Sequence, residues 1–458
     1  MLEGLEKYPE YDALWHLVAM GVLTPDHAPN DWTPDPEATR PTRIAVIDTS
    51  VAVDHPNLSG AVNKNLALDL FSTRLGAFPY LGDEIKIGAL ELNASTKVTE
   101  GLPRCSELLA ETIDRLSHGS PAQIDGVQPM TSPEFSNHGT AICGLVGARP
   151  NAMAAADGFS TPLAGLEEVP LPYSGVDPNC EIVPISTNFN PDPETLILAL
   201  LYADLIDADV ILLPRIISDP SRTVPELNHM IGDHNLRDLV SQVDLTPDEA
   251  DSWEELARLL IAVSLQRPIV CAAGNGSEEH GIYPANLASE HNGIISVGAV
   301  NAKGFTSGYS ATRNLTVCGP SDDMQVFDRS EIRLDPQAHA NAKLPVSVES
   351  NGKFSSFDII STDVPGAYGY SSSPFMSAEP DMGLREFGSY FCRFGGTSAS
   401  SALVAGFLSL GRTTGALARG AGGIAAKDWL LSRCITIEDG VDTLQFPAWD
   451  NQARFPDA

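Results

Sequence analysis

Short runs of Ile, Val, Leu and Ala recur along the chain with almost no polar interruption. They are "RIAVIDTS" (43–50), "CEIVPIS" (180–186), "ADVILLP" (208–214), "RPIVCAAG" (267–274) and "GIISVGAV" (293–300). A strand with one wet face alternates apolar and polar residues. Runs this continuous read as strands covered on both faces, as parallel strands usually are. Helical patterns lie between some of them. "PETLILALLYADLID" (193–207) carries apolar residues at helical spacing, and "PDEADSWEELARLLIAVSLQ" (247–266) opens with acids that suit the positive end of a helix. Strand and helix in alternation predict right-handed crossovers and a three-layer α/β fold, with a mainly parallel central sheet and helices on both faces. In such sheets, sites form beyond the carboxyl ends of the strands.

Ahead of the first strand, residues 1–40 read as an N-terminal helix around Tyr11–Val22 and a Pro- and Asp-rich connector. Leu14, Leu17 and Val18 form the helix's apolar stripe. Residues 41–435 read as the main domain, interrupted by insertions at about 62–130 and 320–390 that are rich in Ser, Pro and Gly and lack a clear period. Residues 436–458 read as a C-terminal tail, and no internal repeat is evident.

Charge narrows the partners. Against 28 Lys and Arg stand 60 Asp and Glu, a net charge of −32 over 458 residues. Phosphate contact needs a basic footprint, so nucleic acid is excluded as a general partner, and so is an anionic membrane surface. Solubility is the simplest role for such a charge. No stretch is long and uncharged enough to span a bilayer. The opening "MLEGLEKYPEYDALW" carries acids where a secretory leader has a basic region. Seven scattered cysteines with no CxxC pair fit free thiols in a reducing compartment, so a cytoplasmic location is expected, the alternative being a mature form whose leader was cut away.

Four segments carry chemistry when read together. Asp48 ends the strand in "VIDTSVAVDHPNL"; His138 opens the small-residue run "NHGTAICGLVGA". Asn275 sits in the glycine turn of "VCAAGNGS", and Ser398 precedes an apolar helix in "GGTSASSALVAG". Each alone reads as a cap or a structural polar residue. Together they meet the needs of acyl transfer. A serine hydroxyl needs an imidazole as base, and the imidazole needs a carboxylate to fix its tautomer. The oxyanion needs donors, which the Asn275 side chain and the Ser398 backbone N–H at a helix N-terminus can supply. Gly139, Ala141, Gly144 and Gly147, like Ala399, Ala402, Ala405 and Gly406, would let both helices pack closely on the sheet.

In this order the segments resemble the subtilisin-like serine proteases, or subtilases. The match runs over Asp48–Leu58, His138–Thr140 with Gly144, Ala272–Asn275 and Gly396–Ser398, and Asp, His and Ser follow the chain order of subtilisin. Sedolisins can also read "GGTSAS", but they use Glu and Asp on a helix; the intact "HGT" fits the subtilases. The resemblance implies a subtilisin-like fold and a serine endopeptidase working through an acyl-enzyme. Ser398 would be the nucleophile, His138 the base and Asp48 its orienting carboxylate, with Asn275 and Ser398 forming the oxyanion hole. Substrate would lie against Leu213, Pro214, Arg215, Ile216, Ala273 and Gly274.

Departures from the family pattern bear on specificity. In "ILLPRII" (211–217), Pro214, Arg215 and Ile216 stand where the family usually has Ser-Leu-Gly. Pro removes a backbone donor. Ile216 is expected to narrow the pocket and Arg215 to favour an acidic group, giving narrow specificity for a protein or peptide substrate. The insertions are the segments expected to meet a regulatory protein partner. The chemistry requires no cofactor; calcium is common in the family, but no ligand set is defined here, and the remaining histidines show no metal spacing. Two other readings keep the same fold. One is a catalytically silent scaffold that binds a partner, and the other is a precursor-peptide maturation protease or transpeptidase.

Overall fold

All five apolar runs become neighbouring strands. The computed structural model describes residues 14–70, 98–118, 138–154, 168–171, 173–188, 190–220, 246–322, 359–363, 390–438 and 443–456. In chain order the helices are α1 (Trp15–Ala19), α2 (Pro103–His118), α3 (His138–Gly147), α4 (Pro193–Leu205), α5 (Pro247–Gln266), α6 (Gly396–Thr413) and α7 (Gly423–Ser432). The first strands are β1 (Arg43–Asp48), β2 (Leu68–Asp69), β3 (Asn151–Ala154), β4 (Glu168–Leu171), β5 (Glu181–Ser186), β6 (Val210–Leu213) and β7 (Ile269–Ala272). Then come β8 (Ile294–Val300), β9 (Val317–Pro320), β10 (Ile360–Thr362), β11 (Phe391–Arg393), β12 (Cys434–Glu438) and β13 (Thr443–Pro447). Seven strands form one parallel sheet in the order β2-β5-β1-β6-β7-β8-β9, with Ile44 of β1 opposite Ile182 on one side and Val210 on the other.

The continuous apolar runs divide by parity between two cores. Ile44, Val46, Ile182, Val210, Leu212 and Val270 pack with α1, α3, α6 and α7. Ala45, Ile47, Val183, Ile185, Ile211, Leu213, Ile269 and Cys271 face the other way, toward α2, α4 and α5. The expected three layers are therefore present, and each strand buries both of its faces.

Local chemistry sets the helix ends. Thr246 and Glu249 form a capping box at the start of α5, with Glu249 N–H donating to Thr246 Oγ1 at 3.3 Å and Thr246 N–H to Glu249 Oε2 at 2.8 Å. Asp192 caps α4, whose residues Leu196 to Leu205 are all buried, as befits a helix that is apolar on every side. At α1, Gly21 adopts φ +65°, while Val22 N–H donates to Leu17 O and Gly21 N–H to Val18 O. This Schellman closure ends the helix short of the Val22 expected from its stripe.

Two organisational expectations change. Residues 436–458 are not a tail. β12 and β13 form an antiparallel hairpin that buries Leu444 and Phe446, and Trp449 N–H donates to Met20 O at 2.8 Å. The stretch at about 62–130 is not without period either, since β2 joins the main sheet and α2 buries Cys105, Leu108 and Leu109 in the core it shares with α4. The rest of that insertion (71–97 and 119–130), and most of the one at 320–390, lie outside the described residues. All seven cysteines are free. Among the described residues no helix is long and apolar enough to cross a membrane, and no group of acidic, His or Cys side chains is arranged to hold a metal ion.

Two buried histidines set an acid limit on stability. Among the described residues, neither ring nitrogen of His16 in α1 has a hydrogen-bond partner, and burial lowers its pKa to about 3. Burial likewise pulls His55 down to about 4, against the opposing hydrogen bond to Tyr390 O. An unfolded chain takes up both protons as pH falls through about 6.5, while the folded chain does not until far lower pH. Stability therefore falls as pH drops below that value, by about 2 kcal/mol per histidine at pH 5 relative to pH 8. Urea midpoints measured between those pH values should decline, and decline less in His16→Leu. An equally steep decline in that variant would contradict the assignment.

Candidate active site

β1 delivers Asp48 to the carboxyl edge of the sheet. Its parity with Ile44 and Val46 turns it toward the α3 and α6 layer, and it is fully buried. His138, the first residue of α3, places Nδ1 2.8 Å from Asp48 Oδ2 and 3.0 Å from Oδ1, and Thr49 N–H donates to Oδ1 at 2.6 Å. Burial by itself would raise the Asp48 pKa. The neighbouring His138, then Arg215 and the Thr49 N–H, outweigh it and hold the carboxyl below its usual range. An ionised Asp48 only accepts hydrogen bonds, so the His138 proton facing it sits on Nδ1.

Threonines stitch β1 to α3. Gly139 N–H donates to Thr49 Oγ1 at 3.1 Å, satisfying a donor that the first turn of a helix leaves open. In return Ala52 N–H donates to Thr140 Oγ1 at 2.9 Å. The His138 ring packs edge-on against Phe394, with centroids 5.0 Å apart, and Phe394 lies four residues ahead of Ser398.

The "GGTS" segment now has a physical reason at each position. A Cβ on Gly395 would overlap the Asp322 carboxylate, and Gly396 takes φ +77° against the Asn275 side chain. Thr397 donates to Asn275 Oδ1 from both N–H and Oγ1, each at 2.9 Å, and accepts the Gly274 N–H at 3.1 Å. These two donors assign the Asn275 amide, leaving its Nδ2 as the donating end. Ser398, the third residue of α6, is about nine-tenths buried, and its hydroxyl donates to Pro214 O at 2.9 Å. The helix behind it, α6, is buried along its whole length. Its far end is tied down by Asp177, a buried carboxylate that accepts from Ser409 and Thr413.

Three elements of the site were not legible in the sequence. Gly396 N–H donates to the Tyr309 hydroxyl at 3.1 Å, Tyr309 donates to Asp322 Oδ1 at 2.7 Å, and Ser321 donates to Gly396 O at 3.0 Å. This buried network holds the turn before Ser398, and burial together with Asp322 keeps the phenol protonated by raising its pKa. Arg215 is the second missed element, because its guanidinium turns inward, with Nε 3.7 Å from Asp48 Oδ1. The expectation that it selects acidic substrate groups is corrected accordingly. The third is the fate of the other substrate-contact residues. Leu213 faces the opposite core by strand parity, and Ala273 is fully buried with its N–H bonded to Val297 O. Gly274 N–H is likewise bonded to Thr397, while Ile216 is 52% exposed. Of that set, Pro214 meets the Ser398 hydroxyl.

The parallel sheet carries a buried carboxylate–imidazole pair at the end of β1, and the Ser398 hydroxyl meets Pro214 at the end of the neighbouring β6. The Subtilase family profile (Peptidase S8) matches residues 39–414, and the chain belongs to that family of serine-type endopeptidases. Solved structures are similar over nearly the whole chain. The nisin leader peptidase from Lactococcus lactis is 12% identical, covers 95% of this chain and 92% of its own, and has a TM-score of 0.51. The epidermin leader peptide processing serine protease from Staphylococcus aureus is 14% identical, with 94% of this chain and 76% of that one covered, at a TM-score of 0.50. A lanthipeptide protease is 14% identical, with 96% and 93% covered, at a TM-score of 0.50. At these identities the likeness is one of fold. No curated protein matches the chain.

Proposed function

We propose that Asp48, His138 and Ser398 act as the catalytic triad of this subtilase and that it cleaves peptide bonds through an acyl-enzyme. The observation that carries the reading is the buried Asp48–His138 contact of 2.8 Å. The Ser398 proton leaves Pro214 O for His138 Nε2 as Oγ attacks the scissile carbonyl carbon. The C–N bond then breaks with that proton delivered to the leaving amine, and water repeats the sequence to release the acid. The developing oxyanion is met by Asn275 Nδ2 and the Ser398 N–H. Rapid-quench kinetics on a peptide ester tests this: a burst of alcohol equal to the enzyme concentration is expected, and a burst-free, Ser398-independent rate would reject it.

Asn275 makes a separable contribution. Asn275→Ala should lower kcat by about 10²–10³-fold with little change in KM, the scale of one lost oxyanion donor. Steady-state kinetics on the same ester checks it, and a change confined to KM would make Asn275 a substrate contact instead.

Maturation of a precursor peptide is the narrower reading. It is favoured by the named roles of the neighbours that share this fold across more than nine-tenths of the chain, two of which are leader-peptide proteases. Sequencing the new termini that appear after incubation with a denatured proteome distinguishes it from general proteolysis. Few sites with a shared motif are expected, and indiscriminate cleavage would reject narrow specificity.

A further inference from the structure

Arg215 leaves the loop after β6, crosses the end of β1 and reaches the loop after β5. Its Nη1 donates to Asn188 O at 2.8 Å and its Nη2 to Thr187 Oγ1 at 2.6 Å, while Nε lies 3.7 Å from Asp48 Oδ1. β5, β1 and β6 are neighbours in the sheet. The side chain is thus a strap over three strand ends, the middle of which carries Asp48. The strap is 8% exposed and Asp48 is buried completely. A guanidinium so placed needs an anion nearby, and the planar fork suits the two fixed acceptors beside it.

We propose that Arg215 is a positioning residue for the catalytic pair: it fixes the Asp48 carboxylate and offsets part of the negative charge felt by the His138 imidazole. This rests on the triad reading above. Among the described residues, the groups acting electrostatically on Asp48 are His138 from α3, Arg215 and the Thr49 N–H. Cys143, also on α3, is a neutral thiol because burial and Asp48 raise its pKa. Arg215 itself faces Asp48, Thr187 and Asn188. Removing the cation makes Asp48 a stronger partner for a protonated ring, so His138 would hold its proton to higher pH. The base would then be less available near neutral pH, and the carboxylate less well fixed.

The test uses the full chain with isotope-labelled histidine. The His138 ring signal is assigned by its loss in His138→Gln and followed through a pH titration by NMR. In Arg215→Met the midpoint should move to higher pH; in Arg215→Lys, which keeps the charge without the fork, it should move less. Arg215→Gln, which keeps donors without charge, should repeat the upward move if the Met variant does not fold. In turnover, kcat should fall by up to about a hundredfold in Arg215→Met with KM nearly constant, the scale of a slight misplacement of catalytic groups. Lysine should restore part of that loss. An unchanged midpoint in a folded, charge-free variant overturns the proposal, and so does a loss confined to KM. The titration needs no turnover, so a wild-type protein without peptidase activity would reject the triad's function and still leave Arg215 judged by the NMR result.

Discussion

Ser398→Ala should lower kcat by about 10⁶-fold on a peptide ester, the scale of removing the nucleophile from a serine triad. The substitution deletes one oxygen and keeps the Cβ, so nothing in the turn has to move. Gly395 still faces Asp322, Gly396 keeps φ +77°, and Thr397 still bonds to Asn275. The folded state loses the hydrogen bond to Pro214 O, at a cost of about 1 kcal/mol. Stability and activity should therefore separate sharply, with the thermal midpoint close to that of the wild type. Steady-state turnover and calorimetry on the same preparation check it. Activity within tenfold of wild type would remove Ser398 from the nucleophile's role.

Asp48→Asn should lower kcat by about 10⁴-fold near neutral pH. Here the loss comes from the tautomer. Asp48 accepts from Nδ1, whereas an amide can donate to it and so drive the ring proton onto Nε2, which then cannot accept from Ser398. The variant should also be less stable, by a few kcal/mol, because Arg215 would stay buried opposite a neutral amide. Parallel pH–rate and urea-unfolding measurements separate the two effects. A stable variant with an unchanged kcat would show that Asp48 does not set the ring's tautomer.

The main frame of the fold was legible because its signal is local. A strand buried on both faces must read as an unbroken apolar run, so β1, β5, β6, β7 and β8 stood out. Asp48 stood out for the same reason: it is the polar residue that ends such a run. The threonines of "DTS", "HGT" and "GTS" read as motif letters, but their reason is a set of contacts across the chain, such as Gly139 to Thr49 and Thr397 to Asn275. Spacing along a sequence does not encode such pairings. Tyr309 and Asp322 were invisible for this reason, since both lie far along the chain from the turn they hold. Arg215 was legible as a departure but not in its direction. An arginine beside a substrate face and one strapped over a buried aspartate read alike until the strand order is known. The C-terminal hairpin is different, because Asp439-Gly440 between two alternating stretches is a hairpin signal that was available in the sequence.

Whether this constellation is a working nucleophile is tested most directly by covalent capture. A fluorophosphonate probe is incubated with the full chain, the adduct is counted by intact mass, and its position is read by peptide mapping. One adduct on Ser398 is predicted, absent from Ser398→Ala and formed far more slowly in His138→Ala. A folded wild-type protein that takes no adduct, or takes it on another residue, would contradict the account.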